Sequence, residues 1–191
     1  PRLYIGEEIG SSASGPKLDI AVDPVEGTTL VAKGLPNALA VLAVAEKGSL
    51  LMAPDTYMRK IAVGPEARGR INLDASVEDN LRNVADALNK SVKDLTVIVL
   101  DRPRHEKLIA NIREVGARIK LISDGDVAGG IATGMRNSGV DILMGTGGAP
   151  EGVLTAVALK CLGGEIQARL KPRNEADIEK AKEYGIDNID K

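Results

Sequence analysis

Residues 23 to 29 read Asp-Pro-Val-Glu-Gly-Thr-Thr and follow the apolar run Leu18-Asp19-Ile20-Ala21-Val22. Two carboxylates three positions apart at the mouth of a strand form a metal-binding pattern, because hard divalent cations such as Mg²⁺ take carboxylate oxygens together with substrate phosphate oxygens. Pro24 fixes its own φ and pushes Asp23 toward an extended conformation. The chain is therefore expected to turn on leaving the strand and to aim Asp23 and Glu26 at one point. Gly27 permits close approach of the backbone to a phosphate, while Thr28 and Thr29 offer hydroxyls and N–H donors where a helix begins. The competing reading of Asp-Pro-x-Glu is a solvated surface turn. The Gly-Thr-Thr that follows and the apolar strand before it favour the metal–phosphate reading.

Further polar clusters recur along the chain. Asp101-Arg102-Pro103-Arg104-His105 is the densest basic one. Arg102 and Arg104 suit bidentate contact with a phosphate, with His105 as an accessory donor or a general base. In Ser123-Asp124-Gly125-Asp126, Asp124 and Asp126 suit sugar hydroxyls or a metal, and Asp126 is expected to cap the next helix. Gly145-Thr146-Gly147-Gly148-Ala149-Pro150-Glu151-Gly152 offers bare N–H groups and a helix start to a phosphate, with Glu151 placed for a cation. It lacks the Gly-Lys-Ser/Thr ending of a Walker loop and the spacing of a dinucleotide fingerprint. Glu7 and Glu8 are a weaker acidic pair, and Tyr57 either contacts substrate or closes the core at a loop.

These motifs need strands and helices to present them. The first third reads as β-rich, with strands over 19–22, 38–45, 50–53 and 60–63, the middle two forming a hairpin across 46–49. Ser76 begins a helix with Asp79 at its third position, a capping arrangement. There follow a strand over 95–100, a helix over 103–115 ended by Gly116, a strand over 118–122 and a small helix after Asp126. A strand over 141–144, a helix over 150–162 and a last helix capped by Asn174 complete the series. The expected fold class is a layered α/β sandwich, with a mixed sheet in the first part and a mostly parallel sheet in the second. Residues 1–90 are expected to carry the metal and phosphate groups, and 91–191 the sugar-phosphate contacts. In such sheets ligands gather at the carboxyl ends of strands, where the polar motifs fall.

Composition narrows the function. Among 191 residues there is no Phe or Trp and only three Tyr, so the core is aliphatic and stacking on nucleic-acid bases is excluded. With 25 basic and 27 acidic residues, no global field favours a nucleic acid or a membrane surface. No apolar run approaches the ~20 residues that span a bilayer. The single cysteine, Cys161, lies in an apolar run and is expected to be a buried thiol of a cytoplasmic protein.

Asp23-Pro24-Val25-Glu26-Gly27-Thr28 resembles the signature of the lithium-sensitive, metal-dependent sugar phosphatases, commonly Asp-Pro-Ile/Leu-Asp-Gly-Thr. With Tyr4-Ile5-Gly6-Glu7, Arg102-Pro103-Arg104-His105, Asp124-Gly125-Asp126 and Gly147-Gly148-Ala149-Pro150-Glu151-Gly152 in the same order, the chain is similar to bacterial class II fructose-1,6-bisphosphatase. That resemblance implies hydrolysis of the 1-phosphate of fructose 1,6-bisphosphate, and in some members sedoheptulose 1,7-bisphosphate, by a homodimer or homotetramer using Mg²⁺ or Mn²⁺. It implies Asp23, Glu26 and Glu151 as metal ligands, and Asp23, Glu26 and Thr28 as catalytic groups. Glu26, Gly27, Thr28, Tyr57, Arg102, Pro103, Arg104, Asp124, Gly125, Asp126 and Gly148 would line the substrate site. The alternatives are an inositol-phosphate or nucleotide phosphatase of the same superfamily and a non-catalytic sugar-phosphate-binding module. Family members carry further acidic ligands before Tyr-Ile-Gly-Glu and continue past the last helix, so this sequence is expected to be a segment lacking part of the metal cage.

Overall fold

The computed structural model describes Tyr4 and residues 6–10 and 15–189; of the strand-like Leu3-Tyr4-Ile5, only Tyr4 is among them. The first strand, β1 (Leu18–Glu26), pairs antiparallel with β2 (Leu39–Glu46), and the short helix α1 (Thr28–Ala32) lies between them in sequence. These two strands make a sheet of their own. A second, five-stranded sheet has the order β5-β4-β6-β3-β7, from β3 (Tyr57–Val63), β4 (Thr96–Leu100), β5 (Arg118–Ile122), β6 (Ile142–Gly148) and β7 (Glu165–Lys171). Five further helices connect them: α2 (Val77–Leu88), α3 (Glu106–Val115), α4 (Asp126–Gly134), α5 (Ala149–Leu162) and α6 (Glu175–Glu183).

β4 is parallel to both β5 and β6, whereas β3 is antiparallel to both β6 and β7. The four strands of the second half therefore run one way, as expected of a βαβα series, and β3 runs against them between β6 and β7. The carboxyl ends of β4, β5 and β6 and the start of β3 consequently meet at one edge.

The inner strands β4 and β6 are buried on both faces, which is why β4 and the first residues of β6 read as nearly continuous aliphatic runs. Ile61, Val63, Val97, Val99, Ile142 and Met144 face α2 and α3 through Leu81, Val84, Ile109 and Ile112. The intervening Ala62, Ile98 and Leu143 face the opposite way and pack with Leu159 of α5. Ala43 of β2 then meets Val127 of α4 and Leu154 of α5, with Ala21 of β1 alongside. The order of layers is thus β1–β2, α4 with α5, the large sheet, and α2 with α3. The outer face of the β1–β2 pair keeps Ile20, Val22, Leu42 and Val44 exposed.

Three expectations are corrected. Residues 50–53 form no strand; β2 finds its partner in β1, and the turn after β2 is tied back by Lys47 N–H to Lys17 O and by Gly48 N–H to Asp19. β6 does not stop at Met144 but continues through the glycines to Gly148, because Tyr57 to Lys60 of β3 pair with them. Cys161 is exposed on α5 rather than buried. β7, between α5 and α6, is an additional element.

The capping arrangement at Ser76 is present, with its Oγ accepting the Asp79 N–H at 3.0 Å. Ser76→Ala should lower the unfolding free energy by about 1 kcal/mol, read from urea denaturation, with an unchanged m-value.

Candidate metal and phosphate site

Asp23 and Glu26 do not stand on a turn after the strand; both belong to β1. Asp23 is opposite Val41 and Glu26 opposite Leu39, so three steps on β1 match two on β2. That is a β-bulge, and Pro24 within it has no N–H to lose from the ladder. In a regular ladder, residues three apart such as Asp23 and Glu26 would fall on opposite faces. The bulge turns Glu26 inward, where it is 3% exposed. Asp23 stays half-buried and accepts the Val25 N–H at 3.0 Å, which holds the bulge.

Two helix starts then interlock. Gly27 precedes α1 and Gly125 precedes α4, both at φ +87° in the left-handed region, and neither has a side chain with which to cap its helix. Each is capped from the other turn. Thr29 N–H donates to Asp124 Oδ2 at 3.0 Å, and Val127 N–H donates to Glu26 Oε1 at 3.3 Å. The expected cap by Asp126 is replaced: Asp126 is the first residue of α4, and its carboxylate instead meets the Lys60 ammonium at 2.8 Å.

Glu26 has a second oxygen, Oε2, that is buried without a partner, and so does Glu151, in the first turn of α5. Burial pushes the Glu26 carboxyl up from 4.5 to about 7; the Val127 N–H opposes the shift, and the neighbouring charges of Asp126, Asp124 and Asp23 add to it. Burial also raises Glu151, with Asp126 and Asp23 adding to the effect and Lys60 opposing it. Asp23 is thus within electrostatic reach of both Glu26 and Glu151. All-oxygen donors suit Mg²⁺ or Mn²⁺, and two orphaned buried carboxylate oxygens are what an added cation would satisfy. Among the described residues no three His, Cys, Asp or Glu side chains converge closely enough to hold a metal ion together. The fit is therefore that of a partial ligand set.

The glycines after Met144 have steric roles. A Cβ on Gly147 would stand 2.0 Å from Asp126 Oδ2, and one on Gly148 would stand 1.8 Å from Glu151 Oε2. Bare backbone at these positions lets both carboxylates lie against β6. Gly145, at φ +147°, would place a Cβ 3.1 Å from the His105 ring.

His105 is buried and fully engaged, not a free base. Its Nδ1 lies 2.7 Å from Leu100 O, and its Nε2 accepts the Thr146 N–H at 2.8 Å, which fixes the neutral tautomer with the proton on Nδ1. Burial lowers its pKa, and Arg104, Arg102 and Lys171 push it in the same direction. Arg104 donates to Thr146 O through Nε and Nη2 and stacks 4.8 Å from the Tyr57 ring centroid. Arg102 donates to Asp101 O and Ser123 O and sits 3.8 Å from Asp124. Pro103 opens the 3₁₀ turn between the arginines (Pro103–His105). Each guanidinium has five N–H donors, so both keep some for an anion. Tyr57 is 37% exposed and lies opposite Gly148 in the ladder.

Asp23, Glu26, Asp124, Asp126 and Glu151 thus form one acidic region, with Gly27 and Gly125 inside it and Thr28 exposed beside it. Arg102, Arg104 and Tyr57 lie beyond it along the strand ends. Glu7 accepts the Tyr4 N–H in a local turn and Glu8 is exposed. Lys60 was not among the sequence candidates, because one lysine in an aliphatic strand carries no motif.

Residues 1–191 match the family described as "Bacterial fructose-1,6-bisphosphatase, glpX-encoded". A protein of Synechococcus sp. strain JA-3-3Ab named D-fructose 1,6-bisphosphatase class 2/sedoheptulose 1,7-bisphosphatase is 47% identical over 214 aligned residues, covering 100% of this chain and 62% of the relative. A protein of the same name from Synechocystis sp. is 45% identical over 213 residues, again with 62% of its length matched. The chain thus spans less than two thirds of these curated relatives.

The raised Glu26 carboxyl makes the folded state hold a proton that the unfolded state releases near 4.5. In the presence of a chelator, stability should fall as pH rises from about 4.5 through about 7, by about 3 kcal/mol in all. Urea unfolding across that range should show the loss in the parent chain and a shallower one in Glu26→Gln, in which the raised Glu151 carboxyl remains. His105→Phe keeps the volume but strands Leu100 O and Thr146 N–H. It should cost about 2–5 kcal/mol by the same measurement, whereas a surface histidine would cost almost nothing.

Proposed function

This chain belongs to the glpX-encoded bacterial fructose-1,6-bisphosphatase family, and from that premise we propose that its site serves the metal-dependent hydrolysis of the 1-phosphate of fructose 1,6-bisphosphate, giving fructose 6-phosphate and phosphate. Sedoheptulose 1,7-bisphosphate is the second substrate, in keeping with the double name of the relatives. The observation that carries the reading is the pair of buried, unpartnered carboxylate oxygens on Glu26 and Glu151, beside Asp23 and next to two arginines. Binding of a sugar phosphate without turnover would give no reason to bury two such oxygens.

Asp23, Glu26 and Glu151 would hold Mg²⁺ or Mn²⁺, which supplies an activated water and neutralises charge on the phosphoryl oxygens. The chain's own groups do the rest. Thr28, exposed at the start of α1, orients the reacting phosphate or the water through its hydroxyl. Asp124 and Asp126 border the sugar, and Gly27, Gly125 and Gly148 keep the backbone low enough for it to approach. Arg102 and Arg104 take the distal phosphate, with Tyr57 as the wall on which Arg104 is stacked. Binding energy gathered there places the reacting end, which is how remote contacts accelerate a reaction. The working enzyme is a cytoplasmic homodimer or homotetramer; among the described residues no helix is long and apolar enough to cross a membrane.

The test is phosphate release with Mn²⁺ by protein made from the complete reading frame. Asp23→Ala and Glu26→Ala should each lower kcat at least about 100-fold, and Arg104→Ala should act mainly on KM for the bisphosphate. Unchanged rates in the two carboxylate variants would remove the metal assignment. Faster turnover of inositol phosphates than of either sugar bisphosphate would remove the substrate assignment.

A further inference from the structure

A basic residue that none of the sequence motifs contains lies inside the acidic region. Lys60, on β3, has a side chain only 2% exposed, with its Nζ 2.8 Å from Asp126 Oδ2. Dehydrating an ammonium is costly, and a methionine would fill the same space without that cost. Two separate elements nevertheless make room for the lysine. A Cβ on Gly147 of β6 would stand 3.2 Å from Nζ, and one on Gly152 of α5 would stand 3.5 Å from Cε. Its charge also acts on Glu151, whose Oε2 has no partner. Lys60 is therefore coupled to Glu151, one of the two carboxylates left wanting a cation, as well as to Asp126.

We propose that Lys60 is a built-in counter-cation of the carboxylate cluster: it holds Asp126 away from metal and weakens the affinity of Asp23, Glu26 and Glu151 for a divalent ion. The inference rests on the metal reading given above. A tethered unit charge repels an incoming divalent cation and also removes one carboxylate from the available set. Both effects act in the same direction, toward metal that binds and leaves readily. A purely structural lysine would act in the opposite direction: its loss would loosen α4 and, through Val127, unseat Glu26.

The sign of the effect is measurable without any turnover. Mn²⁺ affinity, from the electron paramagnetic resonance of the free ion, and Mn²⁺-dependent melting would be compared for the parent protein, Lys60→Met, Lys60→Arg and Lys60→Met/Asp126→Asn. Lys60→Met should bind Mn²⁺ at least about tenfold more tightly and gain the larger melting shift. Lys60→Arg and the double variant, both of which keep the local charge balance, should match the parent. A parent protein that binds no Mn²⁺ would overturn the metal reading, and this inference with it. A parent that binds, with Lys60→Met binding no more tightly, would overturn the role of Lys60 alone. So would a Lys60→Met protein that stays unfolded in Mn²⁺, or a double variant that gains as much as the single one.

Discussion

The end of β1 and the turn before α4 cap each other's helices: Glu26 accepts the Val127 N–H of α4, and Asp124 accepts the Thr29 N–H of α1. Almost everything about the site follows from this exchange. Glycine at 27 and 125 gives each chain the left-handed turn that admits the other, at the cost of leaving each helix without a cap of its own. The carboxylates that fill the gap are drawn toward positive helix ends and away from water. Glu26 is accordingly ionisable, buried and only half satisfied. One of its oxygens is committed to the fold and the other has no partner.

The same economy appears along β6. A strand whose last residues are glycines has little packing to offer, and its pairing with β3 is what keeps it extended. The missing side chains are occupied from elsewhere: by the His105 ring, by Asp126 and by Glu151. His105 then ties the end of β4 to β6, and Arg104 follows it onto Thr146. The acidic and basic halves of the site are therefore set by one strand. The sheet supplies positions, and His105, Arg104, Glu26 and Asp124 are each held by a backbone contact.

Much of this was legible in the sequence. The βαβα order, the start of α2 at Ser76, and the placing of polar motifs at strand ends follow from periodicity and caps, which are local. What was not legible depended on partners distant in sequence. Residues 50–53 are as strand-like as residues 18–22, and only the pairing of β2 with β1 decides between them. The glycines of β6 look like a loop until β3 is laid beside them. β7 did carry a signal: Ile166, Ala168 and Leu170 alternate with Glu165, Gln167, Arg169 and Lys171. Lys60 is the clearest case of the opposite kind, since its meaning lies wholly in residues 126, 147, 151 and 152.

The bulge in β1 makes the site a matter of chain length as well as of chemistry. Asp23 and Glu26 share a face only because β1 carries one residue more than β2 across that interval. Losing the bulge while keeping the three-residue spacing would leave every carboxylate in the sequence and restore a regular ladder. Glu26 would then point out among Ile20, Val22 and Leu42. The acidic pair thus depends on the bulge as much as on its letters: a chain that kept both acids three apart in a regular ladder would have the letters of the site without its geometry, whereas one with a single residue between them would face both inward with no bulge at all.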